Sequence, residues 1–311
     1  MQTIHSIEQL SSVQGPVALA IGVFDGVHLG HKEVIGAALE YAAQHHGTAV
    51  VMTFDPHPMR VLRPDLAPSM LCSTRHKLLL LQRMGVKYTL VCPFDEQMAR
   101  TDARQFVESL VKSCHPLGFI SVGYSWSFGK GGAGNVHQLM ELGATHGFGV
   151  YGVPEVKMDE AVVSSTRIRE AVNSGAFSMA KRLLGRDYTV LGEVVKGRQL
   201  GRELGFPTAN VAVESEQLPP NGVYVVRAML GDKSFHGVAN LGTRPTVDGD
   251  NRSLEVHLFD VSGDFYGQLL EVAFLEKLRD ERKFNGIDEL RAQINKDAQE
   301  GRRITQAQEV P

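Results

Sequence analysis

Val17 to Ile21 is a short apolar run without polar alternation, the mark of a strand buried on both faces. Gly22, Gly26 and Gly30 follow and predict a tight turn where backbone can approach a ligand closely. From Lys32 to Gln44, Val34, Ile35, Ala38, Leu39 and Ala42 recur at helical spacing, with Gly47 as the stop. The segment reads strand, glycine-rich turn, helix, and the free N–H groups opening that helix make an anion site. The alternation continues. Thr48 to Phe54 reads as a second strand, ended by Asp55-Pro56-His57-Pro58, whose prolines forbid further pairing. Arg75 to Met84 reads as a helix stopped by Gly85, Tyr88 to Cys92 as a strand, and Asp102 to Ser113 as an amphipathic helix. The strand Phe119 to Gly123, a glycine-rich loop from Phe128 to Gly134, the helix Val136 to Gly147 and the strand Gly149 to Val153 complete it. Such alternation predicts a parallel sheet covered on both faces. Its ligand crevice lies beyond the carboxyl ends of the strands, on the side of His28, His57 and Ser125.

From Tyr188 the period shortens. Thr189 to Lys196, Gly222 to Leu230, Phe235 to Leu241, Leu254 to Phe259 and Leu269 to Phe274 read as strands. Asn221-Gly222, Gly231-Asp232 and Asp248-Gly249 are turn punctuation. A small antiparallel barrel is expected, with a helix from Ile287 to about Ala298 packed outside it. The junction falls at Leu184 to Asp187, dividing a domain of residues 1–183 from one of 187–311, and Ile304 to Pro311 reads as a frayed end.

Composition narrows the class. The 311 residues suit two domains, and 43% hydrophobic with 22% charged residues is the balance of a soluble globular protein. A net charge of −3 offers no general attraction to nucleic acid, so anionic ligands need local groups. Cys72, Cys92 and Cys114 are far apart, which points to a reducing cytosol and away from zinc or disulfides. The first ten residues include Glu8 and no apolar run, unlike a signal peptide, and no stretch nears the roughly 20 apolar residues of a membrane span. The expectation is a cytoplasmic protein with small-molecule partners, neither nucleic acid nor membrane, and oligomeric state open.

His28 and His31 straddle Gly30 and share a face if the turn between them is helical. Two imidazole donors beside a helix N-terminus suit a phosphate whose charge grows during reaction. As a bare pair they read equally as surface histidines or half of a metal site. The whole string Gly22-Val23-Phe24-Asp25-Gly26-Val27-His28-Leu29-Gly30-His31 resembles the HxGH signature of the nucleotidyltransferase superfamily. In this longer form it is similar to the adenylyltransferase half of the bacterial bifunctional riboflavin kinase/FAD synthetase family. Further on, Ser164-Ser165-Thr166-Arg167-Ile168-Arg169 puts hydroxyls and fixed positive charge at a helix start. It resembles the second superfamily signature, which holds the β- and γ-phosphates of ATP in relatives. By position Ser165, Thr166 and Arg169 are implied phosphate ligands, with Arg167 left open.

In the second half, an extended Thr208-Ala209-Asn210 points a hydroxyl and an amide oxygen to one side, where they can complete the shell of a Mg²⁺ ion. The string Gly201 to Asn210 resembles the riboflavin kinase signature, and Asn221 to Tyr224, Gly237 to Gly242 and Leu278 to Phe284 match that family in order. The resemblance spans nearly the whole chain. It implies a Rossmann-like α/β nucleotidyltransferase domain followed by a β-barrel kinase domain with a C-terminal helix. The implied chemistry is phosphorylation of riboflavin to FMN, then adenylyl transfer from ATP to FMN, giving FAD and pyrophosphate, with Mg²⁺ as cofactor.

By the same resemblance, Gly22, Phe24, Asp25, Gly26 and Gly30 shape the nucleotide turn, and Gly201 and Arg202 serve nucleotide in the kinase half. The flavin contacts it implies are Phe54, Pro56, His57, Pro58, Ser125 and Trp126 in the first domain and Arg279, Glu281 and Phe284 in the second. Glu255 stands where the family carries the base that a neutral riboflavin hydroxyl needs, and alternation puts His257 on its face. Adenylyl transfer needs no base, since the FMN phosphate is already an anion; His28, His31 and Arg169 would neutralise crowded charge. Asp25 either assists a metal or fixes the turn, and Trp126 either stacks on a flavin or adenine ring or packs in the core. Ser125-Trp126 and Lys196-Gly197-Arg198-Gln199 depart from the commoner family forms. The alternatives are a kinase alone, or a flavin-binding sensor without turnover. The joint presence of His28, His31, Thr208, Asn210 and Glu255 argues against the sensor, because binding needs no base.

Overall fold

The computed structural model describes residues 1–197, 201, 204–246, 249–261 and 263–309. Arg202, Arg198, Gln199 and Asp248 lie outside the described residues. The chain forms two compact units, Met1–Ser69 with Thr74–Ser165, and Met70–Ser73 with Thr166–Pro311.

The first unit carries strands β1 (Gln2–Ile4), β2 (Val17–Ile21), β3 (Thr48–Asp55), β4 (Tyr88–Pro93), β5 (Leu117–Gly123) and, after short ladders β6 (Ser127–Phe128) and β7 (Gly134–Asn135), β8 (Gly149–Val153). The main sheet runs β1-β4-β3-β2-β5-β8, parallel throughout. The expected five strands are present, and the three-residue β1 adds a sixth at the edge, too short to stand out in the sequence. Helices α1 (Leu29–Gln44), α2 (Pro58–Leu62), α3 (Thr74–Arg83), α4 (Glu96–Arg100), α5 (Ala103–Ser113) and α6 (Val136–His146) connect them. The two-residue alternation of β2 divides the core: Val17, Leu19 and Ile21 pack with Phe106, Leu110 and Leu139, while Ala18 and Ala20 pack with Ile35, Ala38 and Leu81. Chain order reverses between β2 and β5, so the crevice of this sheet opens at their carboxyl ends, at Gly22 and Gly123. Helix α1 starts at Leu29 rather than Lys32 because the His28 side chain caps it, and it ends at Gln44 as expected, with His45 as its C-cap.

The second unit follows a two-stranded ladder of β9 (Lys157–Met158) and β10 (Ala161–Val162). It opens with α7 (Ser165–Asn173) and α8 (Phe177–Leu184). Strands β11 (Thr189–Val195), β12 (Ala209–Val213), β13 (Gly222–Leu230), β14 (Lys233–Thr246), β15 (Gly249–Leu258) and β16 (Leu269–Arg279) form a closed barrel ordered β11-β12-β15-β14-β13-β16. Beyond the five expected strands, β12 makes Ala209 and Asn210 of the Thr-Ala-Asn string part of the wall, with Thr208 just before it. The Phe177 ring stacks on Phe274 at 5.8 Å and stands edge-on to Tyr224 at 5.7 Å, so α8 packs on the barrel. Asp187 accepts Lys181 Nζ at 2.9 Å and Arg227 Nη2 at 2.5 Å where α8 passes into β11.

Helix α9 runs from Ile287 to Glu309, so the expected end near Ala298 and the expected fraying from Ile304 are both corrected. Its outer turns bury Ile304 and Thr305. Gly301 permits the continuation, since a Cβ there would stand 2.7 Å from Val238 Cγ1. The segment Met70–Ser73 is strapped to this unit: Ser73 Oγ donates to Glu214 Oε2 at 2.7 Å, and the Tyr188 hydroxyl lies 3.2 Å from Leu71 O.

Candidate functional site

In the first unit the site begins with a strained turn. Phe24 (φ 52°), Gly26 (φ 78°) and Val27 (φ 42°) are all left-handed, a conformation costly for an aromatic and more so for a β-branched residue. Surrounding bonds hold it. Gly22 N–H donates to Met52 O at 3.1 Å, Thr53 Oγ1 to Val23 O at 2.9 Å, and Ser165 Oγ to Asp25 O at 3.0 Å. A Cβ on Gly22 would lie 2.9 Å from the Phe24 ring, so the chain can fold back there only as glycine.

His28 and His31 do share a face. Their rings stack at 3.5 Å with planes 18° apart. His28 Nδ1 accepts the His31 backbone N–H at 3.3 Å, which leaves its ring proton on Nε2 as a donor. Burial, then the neighbouring His28, then Lys77 hold the His31 pKa well below 6.5, so this imidazole is neutral. Its Nδ1 is inaccessible and has no hydrogen-bond partner among the described residues.

The remaining candidates of the first half are placed as follows. Pro56, His57 and Pro58 follow β3, and Ser125 and Trp126 follow β5, the two strands that flank β2. His57 caps α2, its Nδ1 accepting Met59 N–H at 3.1 Å. Phe54 belongs to the core and stands edge-on to Phe94. Trp126 stacks on Phe128 at 4.6 Å and packs against the same core, while Ser125 is exposed. Gly30 lies against the His28 ring. Thr166 and Arg169 open α7 and belong to the second unit, whereas Ser165 belongs to the first.

The barrel has a cavity of about 330 Å³ that gathers Gly201, Thr208, Glu255, Arg279, Glu281 and Phe284, together with His257 and Asn240. Leu290 and Ile294 of α9 also line it. Strand register explains the convergence. Glu255 stands opposite Asn210 on β12 and opposite Asn240 on β14, and directly paired residues point to one face. His257 Nδ1 donates to Pro207 O at 2.9 Å, tying the loop before β12 to β15. Asn210 is buried beneath Gly197, where a Cβ would fall 2.2 Å from the amide nitrogen. Arg279 Nη2 donates to Asp297 Oδ2 at 2.8 Å, and the Arg279 and Arg282 guanidiniums lie 5.8 and 4.8 Å from the Phe284 ring centre. A second cavity of about 540 Å³ is lined by Val194, Pro207, Val256, Phe265 and Tyr266, and Thr208 lines both cavities.

Sequence reasoning passed over Asn240, Lys77 and the α9 lining residues. Asn240 is part of the string Gly237 to Gly242. Lys77, inside a leucine-rich helix, carried no signal.

Comparison with known proteins follows the same division. The FAD synthetase family model matches residues 10–167 and the riboflavin kinase family model residues 184–305. The bifunctional riboflavin kinase/FMN adenylyltransferase of Escherichia coli K12 is 38% identical over 299 residues, covering 96% of each chain. The protein of that description from Bacillus subtilis is 35% identical over 308 residues, covering 96% of this chain and 97% of its own. A Streptococcus pneumoniae crystal structure described as a macrolide-efflux protein superposes with a TM-score of 0.79 at 30% identity, over 95% of this chain and 97% of its own. Among the described residues no helix is long and apolar enough to cross a membrane.

Proposed function

The chain belongs to the bacterial bifunctional riboflavin kinase/FMN adenylyltransferase family, and from that premise we propose how its residues divide the two reactions. The protein phosphorylates riboflavin to FMN with ATP, then joins FMN to the adenylyl group of ATP, releasing pyrophosphate. Residues 187–311 carry the kinase chemistry and residues 1–183 the adenylyl transfer.

The observation that carries the kinase assignment is that Thr208 borders both barrel cavities while Glu255 faces one of them. Riboflavin occupies the smaller, lined by Phe284 and α9, and ATP the larger. The riboflavin 5′-hydroxyl gives its proton to Glu255 as its oxygen bonds to the γ-phosphorus, and ADP leaves with the bridging oxygen. Thr208 and Asn210 present neutral oxygens, donors that fit a hard cation, and the backbone at Gly197 cradles the Asn210 amide. Mg²⁺ held there would neutralise charge on the transferring phosphate.

In the first unit an FMN phosphate oxygen attacks the α-phosphorus of ATP. His28 Nε2–H and the N–H groups of the turn donate to the growing charge, with His31 stacked behind. Ser165, Thr166 and Arg169 serve the departing pyrophosphate. The Asp25 side chain is buried and its carbonyl is bonded by Ser165, which supports the turn-fixing role. The test incubates the protein with riboflavin, ATP and Mg²⁺ and separates the flavins. Both FMN and FAD are expected; FMN without FAD would restrict the chain to the kinase, and neither product would overturn the assignment.

A further inference from the structure

Lys77 is 1% exposed, in the middle of α3 among the buried leucines Leu80 and Leu81. An ammonium is costly to bury, and in a helix of this pattern a methionine would fill the same space without that cost. Its Nζ donates to Val23 O at 2.7 Å and to Thr53 Oγ1 at 3.1 Å, while Thr53 Oγ1 itself donates to Val23 O at 2.9 Å. Two donors, themselves hydrogen-bonded to each other, thus converge on a single carbonyl. That carbonyl belongs to the residue just before Phe24, where the left-handed path through Phe24, Gly26 and Val27 begins. A turn under such strain keeps its shape only when surrounding bonds over-determine it. The same ammonium is one of the charges that keep His31 neutral.

We propose that Lys77 is a positioning residue for adenylyl transfer, clamping the Val23 carbonyl from beneath so that the turn holds its N–H groups and the His28–His31 stack where charge develops on the α-phosphate. The inference rests on the reading of this turn as the adenylyl-transfer site. Lys77 itself does not touch the substrates. Its contribution is to geometry needed in the transition state, and it falls on kcat rather than on substrate affinity.

The experiment compares Lys77→Met with wild type in the full chain, measuring kcat and KM for FAD formation from added FMN and ATP. Riboflavin phosphorylation in the same preparation serves as the internal control. Emission of Trp126, the single tryptophan, reports whether the first unit is folded. The expected result is a fall in kcat of roughly 10- to 100-fold with both KM values within about threefold, unchanged kinase activity and native emission. Wild-type kcat, or a loss appearing in KM alone, would overturn the proposal. Should Lys77→Met unfold the first unit, Thr53→Val decides, because it keeps the buried charge but removes one anchor and one bond to Val23 O. A severalfold lower kcat at unchanged KM then supports the clamp, and an unchanged kcat overturns it. If wild type makes no FAD at all, it is the adenylyl-transfer reading that fails, not the clamp.

Discussion

The two units place reactive groups by opposite means. In the parallel unit the histidines stand beyond the end of β2, on a turn that passes through left-handed backbone at Phe24 and Val27. Bonds from distant segments, Thr53 of β3, Lys77 of α3 and Ser165, hold that turn. In the barrel the polar groups lie on the wall itself. Asn210, Glu255 and Asn240 are brought side by side by the register of three antiparallel strands, with no unusual backbone at any of them. A turn can approach a phosphate from several directions with its N–H groups but needs external support. A ladder needs no support beyond its own pairing, but it offers side chains only at alternate positions of one face. This difference suits the reactions: the charged FMN phosphate needs donors around it, the neutral riboflavin hydroxyl one well-placed carboxylate.

The sharpest way to break the comparison is to disable one site and watch the other. Glu255→Gln keeps side-chain size while removing the proton acceptor. FMN formation should fall by roughly 10²–10⁴, the range for loss of a general base, while FAD formation from added FMN continues. A mutant that phosphorylates riboflavin at near wild-type rate would remove Glu255 from the mechanism and direct attention to His257. The reciprocal change is His31→Ala. It should depress FAD formation by roughly 10²–10³ and leave FMN formation near normal, as removal of one preorganised group at a transition state does. Equal loss of both activities would assign His31 to folding.

Legibility in the sequence followed the same contrast. Glu255 and His257 were readable as cavity partners because alternation along a strand fixes their side, and both line the 330 Å³ cavity. The His28–His31 stack was readable because three-residue spacing at a helix start puts both rings on one face. The support of the turn was not readable. Lys77 sits in an ordinary leucine-rich helix, and only tertiary packing carries its ammonium to Val23 O. Asn240 was overlooked because its partner is 15 residues away across a ladder whose register the turn alone does not announce. The partners of α7 and α8 were also hidden, since periodicity marks an apolar face without naming what covers it. The length of α9 was hidden for a similar reason: its last turns are held by packing, with Gly301 set so close to Val238 that a Cβ there would stand 2.7 Å from Val238 Cγ1.

The packing units divide at Ser165 and Thr166, which sharpens the comparison at the level of stability. A fragment of residues 187–311 lacks Phe177, whose ring lies against Tyr224 and Phe274. A fragment of 166–311 keeps it. Loss of a buried aromatic ring costs about 3 kcal/mol or more, so the longer fragment should unfold at clearly higher temperature and denaturant concentration. Phe177→Ala in the longer fragment should lower its stability in the same direction. Equal stability of the two fragments would mean that the barrel closes without α8.

The smallest expected effect separates the units by pH. His31 is neutral in the folded protein because enclosure, His28 and Lys77 all depress its pKa well below 6.5. Once the chain unfolds, the imidazole returns to the ordinary value. Below pH 6.5 the unfolded state therefore binds a proton that the folded state does not, and stability must rise with pH across that interval. Read downward, the contribution of His31 is fully present above pH 6.5 and is lost as pH falls towards the folded pKa. For a single proton the slope cannot exceed about 1.4 kcal/mol per pH unit. The informative quantity is the difference between wild type and His31→Phe, which cannot titrate. Unfolding followed by Trp126 emission isolates the first unit, since no other tryptophan contributes. The wild-type curve should fall away from that of the variant below pH 6.5 and run parallel to it above. Curves that stay parallel throughout would mean that the His31 ring meets water in the folded state and titrates there as it does in the unfolded chain.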